Sequence, residues 1–329
     1  MQICENYDSM GYKKMSFVDS IFNDQCRFFE SIISKQIVFI CSEEHEKIAC
    51  ALINKLNEFG NSITKIQYSM KEYIDKYIPS YNENGNLDFT GLRDVACDII
   101  FFITPFLNIN KEEQVFNSLN TLERQRGNVI YFDWPCNCIY QTLTPLVEKV
   151  YQHALKTDYA FILKKNYEFK ILLENGQRFH LIDDNGTSLH FKRYKSKVLC
   201  ESGIYDKDHT IQQLPGGETF IPVDSNKTNG VIVFDIGNSK KALEVKNGFI
   251  HMSKLSNKYE DTHICEFGLG TNPNVKYIKN FSISEKAYGT CHLGFGSNLS
   301  FGGVNKYSYH YDIVFSNFKL YIDGNKVQL

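Results

Sequence analysis

The chain has no long hydrophobic run. No apolar stretch in its 329 residues reaches the ~18 residues needed to span a bilayer, so a membrane-embedded protein is not expected. It has no excess of either charge. A net charge of −2 gives no electrostatic case for nucleic acid or an anionic membrane surface, and the lysines are scattered without a DNA- or RNA-reading motif. The first residues, MQICENYDSMGYKK, lack the basic and apolar pattern of a signal peptide, which predicts a cytoplasmic protein. No GxGxxG joins a strand to a helix, so a dinucleotide site is unsupported. No sequence period points to a solenoid or propeller. Ten cysteines are present but dispersed, and a reducing compartment keeps them as thiols. The one close pair, Cys136 and Cys138 in WPCNC, has no second pair to complete a zinc knuckle and reads as a buried turn.

What is present is enough for a real core: 43% of the residues are hydrophobic, and the length suggests two domains. Gln36 to Cys41 (QIVFIC) reads as a buried strand. Glu43 to Phe59 follows with Ile48, Ala51, Leu52 and Leu56 at helical spacing, and Gly60 ends the helix. Ser62 to Tyr68 then reads as a strand, which completes a β-α-β unit. After a polar loop over Glu72 to Gly91 come a strand at Cys97 to Thr104, a helix at Lys111 to Arg124 and a strand at Gly127 to Phe132. Residues 1–155 are therefore expected to form an α/β, doubly wound scaffold domain, with a helix over Thr142 to Leu155 as its last element.

From 156 to 329 the texture changes to short runs broken by Gly, Asn and Asp, which predicts a β-rich (α+β) domain. Strands are expected at Tyr167 to Leu173, Arg178 to Ile182, Ser188 to Tyr194, Val231 to Asp235, Phe249 to Met252, Lys276 to Ile283 and Val314 to Ile322. Asn175-Gly176, Asn185-Gly186, Asn229-Gly230, Asn247-Gly248 and Asp323-Gly324 are read as tight turns.

Chemistry concentrates between Cys265 and Asp312, where Glu266, Glu285, His292, His310 and Asp312 stand among apolar and glycine residues. Carboxylate and imidazole are the ligands of zinc, manganese, cobalt and iron. His310 and Asp312 are two apart in a strand-like run, so both side chains share a face. Glu266 sits between Cys265 and Phe267, where a carboxylate needs a metal or a basic partner. Glu218 follows Pro-Gly-Gly, and the glycines let the backbone pass close to a ligand. Of the other histidines, His45, His153, His209, His251 and His263 lie in polar settings and read as surface residues, whereas His180 and His190 are candidates to line a pocket. Tyr288, Tyr307, Tyr309 and Tyr311 flank the candidate ligands, and packing is the expected role of each.

Three segments, LPGGETFIPVDSNKTNGVIVFD, EFGLGTNPNVKYIKNFSISEKAYGTCHLGFGSN and FGGVNKYSYHYD, together resemble the aminopeptidase family M29, in its shorter aminopeptidase-T-like branch. The resemblance runs from about Leu214 to the C-terminus, is weaker over Asp183 to Phe191, and is slight before that. It implies a metal centre of Glu218, Glu266, His292, His310 and Asp312, with Glu218 and Glu266 also serving catalysis. It implies one or two zinc, cobalt or manganese ions, a metal-activated water that cleaves an N-terminal peptide bond, a short-peptide or small-molecule substrate, and a homodimer. Two positions depart from the family. Ala287 stands where the peptidases carry a further metal-binding glutamate, with Glu285 as its shifted substitute, and Leu299 stands where they carry a tyrosine. The superfamily also holds mononuclear iron enzymes similar to 2,5-dihydroxypyridine 5,6-dioxygenase, which use two His and one Asp. On that resemblance His292, His310 and Asp312 would hold a single iron(II). A third expectation is a non-catalytic member that keeps the fold as a binding partner.

Overall fold

A strand apolar on both faces belongs inside a sheet covered on both sides, and the QIVFICS run occupies that place. The computed structural model describes residues 32–42, 45–68, 97–104, 128–133, 145–204, 211–236, 239–257, 259–278, 282–307 and 309–329. Strand β1 (Gln36–Ser42) leads into helix α1 (Glu46–Glu58) and β2 (Ser62–Tyr68). Strands β3 (Ile99–Thr104) and β4 (Asn128–Asp133) extend the same parallel sheet. Helix α1 buries Ile48, Ala49, Leu52 and Leu56 against Ile37 and Phe39, one apolar stripe against one sheet face. Asn61 locks the end of α1. Its amide donates to the carbonyls of Leu56 (2.7 Å) and Ile32 (2.9 Å). The expected Lys111 to Arg124 helix, the Glu72 to Gly91 loop, the first 31 residues, the Cys136/Cys138 pair and His209 lie outside the described residues.

Helix α2 (Pro145–Leu155) is followed by α3 (Tyr159–Asn175). The second of these corrects the strand expected at Tyr167 to Leu173. The Asp158 carboxylate caps α3 by accepting from the amides of Ala160 (2.9 Å) and Phe161 (3.3 Å). Tyr159, Ile162, Asn166, Phe169 and Leu173 are buried at helical spacing, while Tyr167 and Ile171 lie on the outer face. The alternation in YEFKILL is local, and the longer 3.6-residue period decides.

The remaining strands are β5 (Phe179–Asp183), β6 (Ser188–Phe191), β7 (Leu199–Glu201), β8 (Ile211–Leu214), β9 (Glu218–Pro222), β10 (Asn229–Ile236), β11 (Ser239–Lys246), β12 (Phe249–Ile250), β13 (Thr262–Gly270), β14 (Cys291–Gly296), β15 (His310–Phe315), β16 (Phe318–Ile322) and β17 (Asn325–Lys326). All but β8 form a 12-stranded sheet in the order β15-β14-β13-β12-β11-β10-β6-β5-β16-β17, with β9 on β13 and β7 on β9. Its pairings are antiparallel. Strand β8 instead adds to β4 in parallel and completes a five-stranded sheet, β2-β1-β3-β4-β8. The chain thus returns to the first sheet before it enters β9.

Asn247-Gly248 and Asp323-Gly324 make tight hairpin turns, each with both residues at positive φ, and Asn185-Gly186 turns β5 into β6. The other two expected turns are corrected. Asn175-Gly176 closes α3, and Asn229-Gly230 lies inside β10, where a side chain on Gly230 would meet the Ser188 carbonyl at 2.1 Å. The strand expected at Lys276 to Ile283 is absent from the described residues. Irregular chain there enters a 3-10 turn at Ser282–Lys286, pinned by the Ser284 hydroxyl, which bonds both the amide (2.8 Å) and the carbonyl (2.7 Å) of Ile278.

Asn272 joins the halves. Fully buried, its amide donates to the carbonyls of Ala154 (3.1 Å) at the end of α2 and Gly216 (2.9 Å) in the Pro-Gly-Gly turn. Asn272→Leu strands both carbonyls, and each lost partner costs about 1–3 kcal/mol. Urea unfolding is expected to show a loss of about 3 kcal/mol; a loss below ~0.5 kcal/mol would mean that neither bond holds the junction.

Candidate metal centre

Four adjacent strands, β9, β13, β14 and β15, carry the candidate ligands on one face. The opposite face of these strands, with Ile221, Phe267, Leu269, Leu293 and Phe295, packs into the core. Alternation does the sorting, with a register shift at Cys265 between Ile264 and Glu266. Each ligand faces a glycine on the neighbouring strand. Glu218 pairs with Gly270, Glu266 and Asp312 with Gly294 from either side, His292 with Gly268, and His310 with Gly296. The glycines make the room. A Cβ on Gly268 would lie 2.2 Å from the His292 ring, and one on Gly294 would lie 2.6 Å from the Glu266 Cβ and 2.8 Å from the His310 ring.

The five side chains converge. Nε2 of His292 is 3.1 Å from Oε1 of Glu266 and 3.5 Å from Oε2 of Glu218. Nε2 of His310 is 3.4 Å from Oε2 of Glu266 and 3.5 Å from Oδ1 of Asp312. Two groups result, Glu218–Glu266–His292 and Glu266–His310–Asp312, each with ligand atoms within 4.8 Å of one another. Glu266 gives one oxygen to each. Glu285, the shifted candidate, stands at the margin. Its Oε1 is 3.3 Å from Nζ of Lys286, and its carboxyl lies against Asp312.

Lys286, Glu201 and Gln213 had no signal as site residues. Lys286 is buried, and Nζ donates to Glu218 (2.7 Å) and to Gln213 Oε1 (2.6 Å), with Glu201 at 3.5 Å. In sequence it sits beside Glu285 in SEKAYG, which reads as a solvated face. Gln213 comes from β8, so the first sheet touches the centre through the strand that leads into Glu218. Ligands outside the carboxyl ends of parallel strands are a general habit of such sheets.

Five carboxylates crowd this centre, three of them (Glu201, Glu218 and Glu285) around the one lysine and two (Glu266 and Asp312) against His310, and burial raises the cost of that surplus. Burial pushes Glu201 up to about 8, despite Lys286, so it holds a proton at neutral pH. Burial also raises Glu266, more than the His292 hydrogen bond lowers it. Burial pushes Asp312 up, but the charge and hydrogen bond of His310, the His292 charge and a Glu285 hydrogen bond together hold it down at about 2. Burial alone would lower His292, but the Glu266 hydrogen bond and the charges of Asp312 and Glu218 lift it to about 8. A cation resolves the surplus, and the Oδ1 of Asp312 is buried without a hydrogen-bond partner. Imidazole nitrogens and carboxylate oxygens in this number fit a divalent zinc, manganese, cobalt or iron ion.

Other candidates lie elsewhere. His180 and His190 stack on each other at 3.7 Å, and Nε2 of His180 bonds the Ser188 hydroxyl. They are cross-strand partners on β5 and β6, and they do not join the cluster. His45, expected at the surface, is buried at the start of α1, since charged neighbours in sequence do not decide which way one ring faces. His263, also expected there, is half-buried and bonds the Tyr307 hydroxyl at 2.5 Å. Tyr288 packs edge-on against Phe161. Leu299, at the position of the family tyrosine, is 42% exposed.

A family model described as NicX, 2,5-dihydroxypyridine 5,6-dioxygenase, matches residues 164–300. That span holds Glu218, Glu266, Glu285, Lys286 and His292, and it stops short of His310 and Asp312. No curated protein matches the chain. Among solved structures, 2,5-dihydroxypyridine dioxygenase from Pseudomonas putida KT2440 is similar at 16% identity and a TM-score of 0.67, over 96% of this chain and 95% of that one. Wild-type AmpT from Thermus thermophilus is similar at 12% identity and a TM-score of 0.54, over 95% of this chain and 96% of that one. The chain has the mixed α/β fold of both, with its large antiparallel sheet. No helix among the described residues is long and apolar enough to cross a membrane.

Proposed function

We propose that this chain is a mononuclear non-haem iron(II) dioxygenase acting on a hydroxylated aromatic ring. The observation that carries this reading is a set of two imidazoles and one carboxylate on one face of the neighbouring strands β14 and β15: His292 and His310, both buried, and Asp312, whose side chain is 16% exposed. Two histidines and one carboxylate are the donor set of non-haem iron(II) oxygenases. The family model that matches the chain supports the same direction. Iron(II), when bound, supplies open coordination positions for substrate and dioxygen.

The chain's own groups orient and shield. Nδ1 of His310 donates to the Ser297 carbonyl (2.8 Å), which leaves the Nε2 lone pair directed at the cluster. Phe301 lies edge-on to the His310 ring and to Phe220, so an apolar wall stands on that side. Glu266, raised by burial, is placed to take a proton from a ring hydroxyl. A small-molecule substrate and a homodimer belong to the proposal.

A second reading is hydrolysis of an N-terminal amide bond with zinc, cobalt or manganese. It is favoured by Glu266, which lies in both groups and turns Oε1 to His292 (3.1 Å) and Oε2 to His310 (3.4 Å), so that one oxygen would be available to each of two ions. Oxygen uptake separates the two. Protein loaded anaerobically with ferrous iron is expected to consume one dioxygen per ring opened, with hydroxylated pyridines and catechols as probes. Release of amino acids from short peptides with cobalt or zinc, and no oxygen uptake with iron, would contradict the dioxygenase.

Either ion must displace a proton from His292, whose imidazole titrates at about 8. His310 must give up a proton as well, since its burial is outdone by the Cys265 and Asp312 charges together, which hold it well above the ordinary imidazole value. Ion affinity is therefore expected to rise at least about tenfold per pH unit up to ~8 and to go on rising above it. Calorimetric manganese titrations from pH 6 to 9 check this; a flat profile below pH 8 would exclude His292 as a ligand.

A further inference from the structure

The two candidate groups share Glu266 but are not equivalent. Nζ of Lys286 sits on the Glu218–Glu266–His292 side, 2.7 Å from Oε1 of Glu218. Its shell is completed by oxygens of Gln213 (2.6 Å), Glu285 (3.3 Å) and Glu201 (3.5 Å). This is a cation site already filled by a covalently attached cation. No lysine or arginine among the described residues forms an ion pair with Asp312. The histidines differ in the same sense. Nδ1 of His310 is tied to the Ser297 carbonyl, while Nδ1 of His292 is buried with no hydrogen-bond partner. Metal-bound imidazoles are usually oriented through the far nitrogen, and only His310 has that support.

We propose that Lys286 is the resident cation of the Glu218 side, and that it limits the centre to a single divalent ion at His310 and Asp312. Glu266 and, across it, His292 face that ion, while Glu218 serves as the counter-charge of Lys286. An ion on the Glu218 side would meet the ammonium through a shared carboxylate, with like charges a few ångströms apart in a buried setting. Lys286 is a positioning residue in this account: it decides where an ion sits and how many bind. The inference rests on the reading of the cluster as a metal centre. It also bears on function, because it closes the two-ion arrangement to the natural chain.

The test is ion stoichiometry. Metal-free full-length protein is dialysed against saturating manganese(II), and the bound ion is counted by elemental analysis and by its electron paramagnetic resonance spectrum. One ion per chain, with the spectrum of an isolated manganese, is expected for the natural sequence. Lys286→Met is expected to bind two, with the spectrum of a coupled pair, and to gain more thermal stability from manganese than the natural protein does. Glu218→Gln in the natural background is expected to keep its affinity for the one ion within about threefold. Two ions in the natural protein, or one ion in folded Lys286→Met, would overturn the inference and leave the metal centre standing. If Lys286→Met does not fold, Glu218→Gln decides: a loss of affinity beyond tenfold would make Glu218 a ligand and overturn the inference. No ion in the natural protein would sink the metal centre itself.

Discussion

Asp312→Ala is expected to weaken divalent-ion binding by at least about 100-fold, since loss of even an outer-shell partner costs 10–100-fold. The carboxylate lies 3.5 Å from Nε2 of His310, and its Oδ1 has no hydrogen-bond partner. Neither Glu266, which faces both histidines, nor Glu285, beside Lys286, can replace it without leaving its own contacts. The metal-free fold should lose only the part of its stability that Asp312 gains from being held down at about 2, because Glu266 stays beside His310. The competing idea is a structural ion network. In that case the metal-free variant would lose about 3–5 kcal/mol, the usual cost of breaking a buried pair, and ion binding would be unmoved. Calorimetric titration and a thermal melt of the same sample separate the two.

Gly268→Ala is expected to do damage from the far side of the site. Its Cβ would stand 2.2 Å from both Cε1 and Nε2 of His292. The ring is fully buried and cannot retreat, so the cost is that of overpacking, about 1–3 kcal/mol. The displaced Nε2 should also cost about 10–100-fold in ion affinity. Denaturant unfolding and a manganese titration measure both. Natural values for each would mean that the His292 ring does not lie across Gly268.

The candidate ligands were legible because each is a costly residue for its context. A glutamate between Cys265 and Phe267, or a histidine two residues from an aspartate in an aromatic strand, asks for a partner. Lys286 was not legible for the opposite reason, since SEK looks like ordinary surface until the 3-10 turn aims it inward. The glycines carry a signal that is only half visible in sequence. Glu266 and Gly268, and His292 and Gly294, are each two apart, but their purpose appears only with the cross-strand register that sets each ligand opposite a glycine. The β-α-β start was readable from one apolar run and one helical stripe. Strand β8 was not, because IQQL has no period, and its place beside β4 is a matter of long-range pairing. The helix at Tyr159–Asn175 was missed where seven residues happened to alternate.

The most direct test of the metal centre is anomalous diffraction at the manganese edge from crystals of metal-loaded protein. One anomalous peak per chain is expected, within coordination distance of Nε2 of His310 and a carboxylate oxygen of Asp312. No peak at that position, with manganese bound elsewhere or not at all, would contradict it.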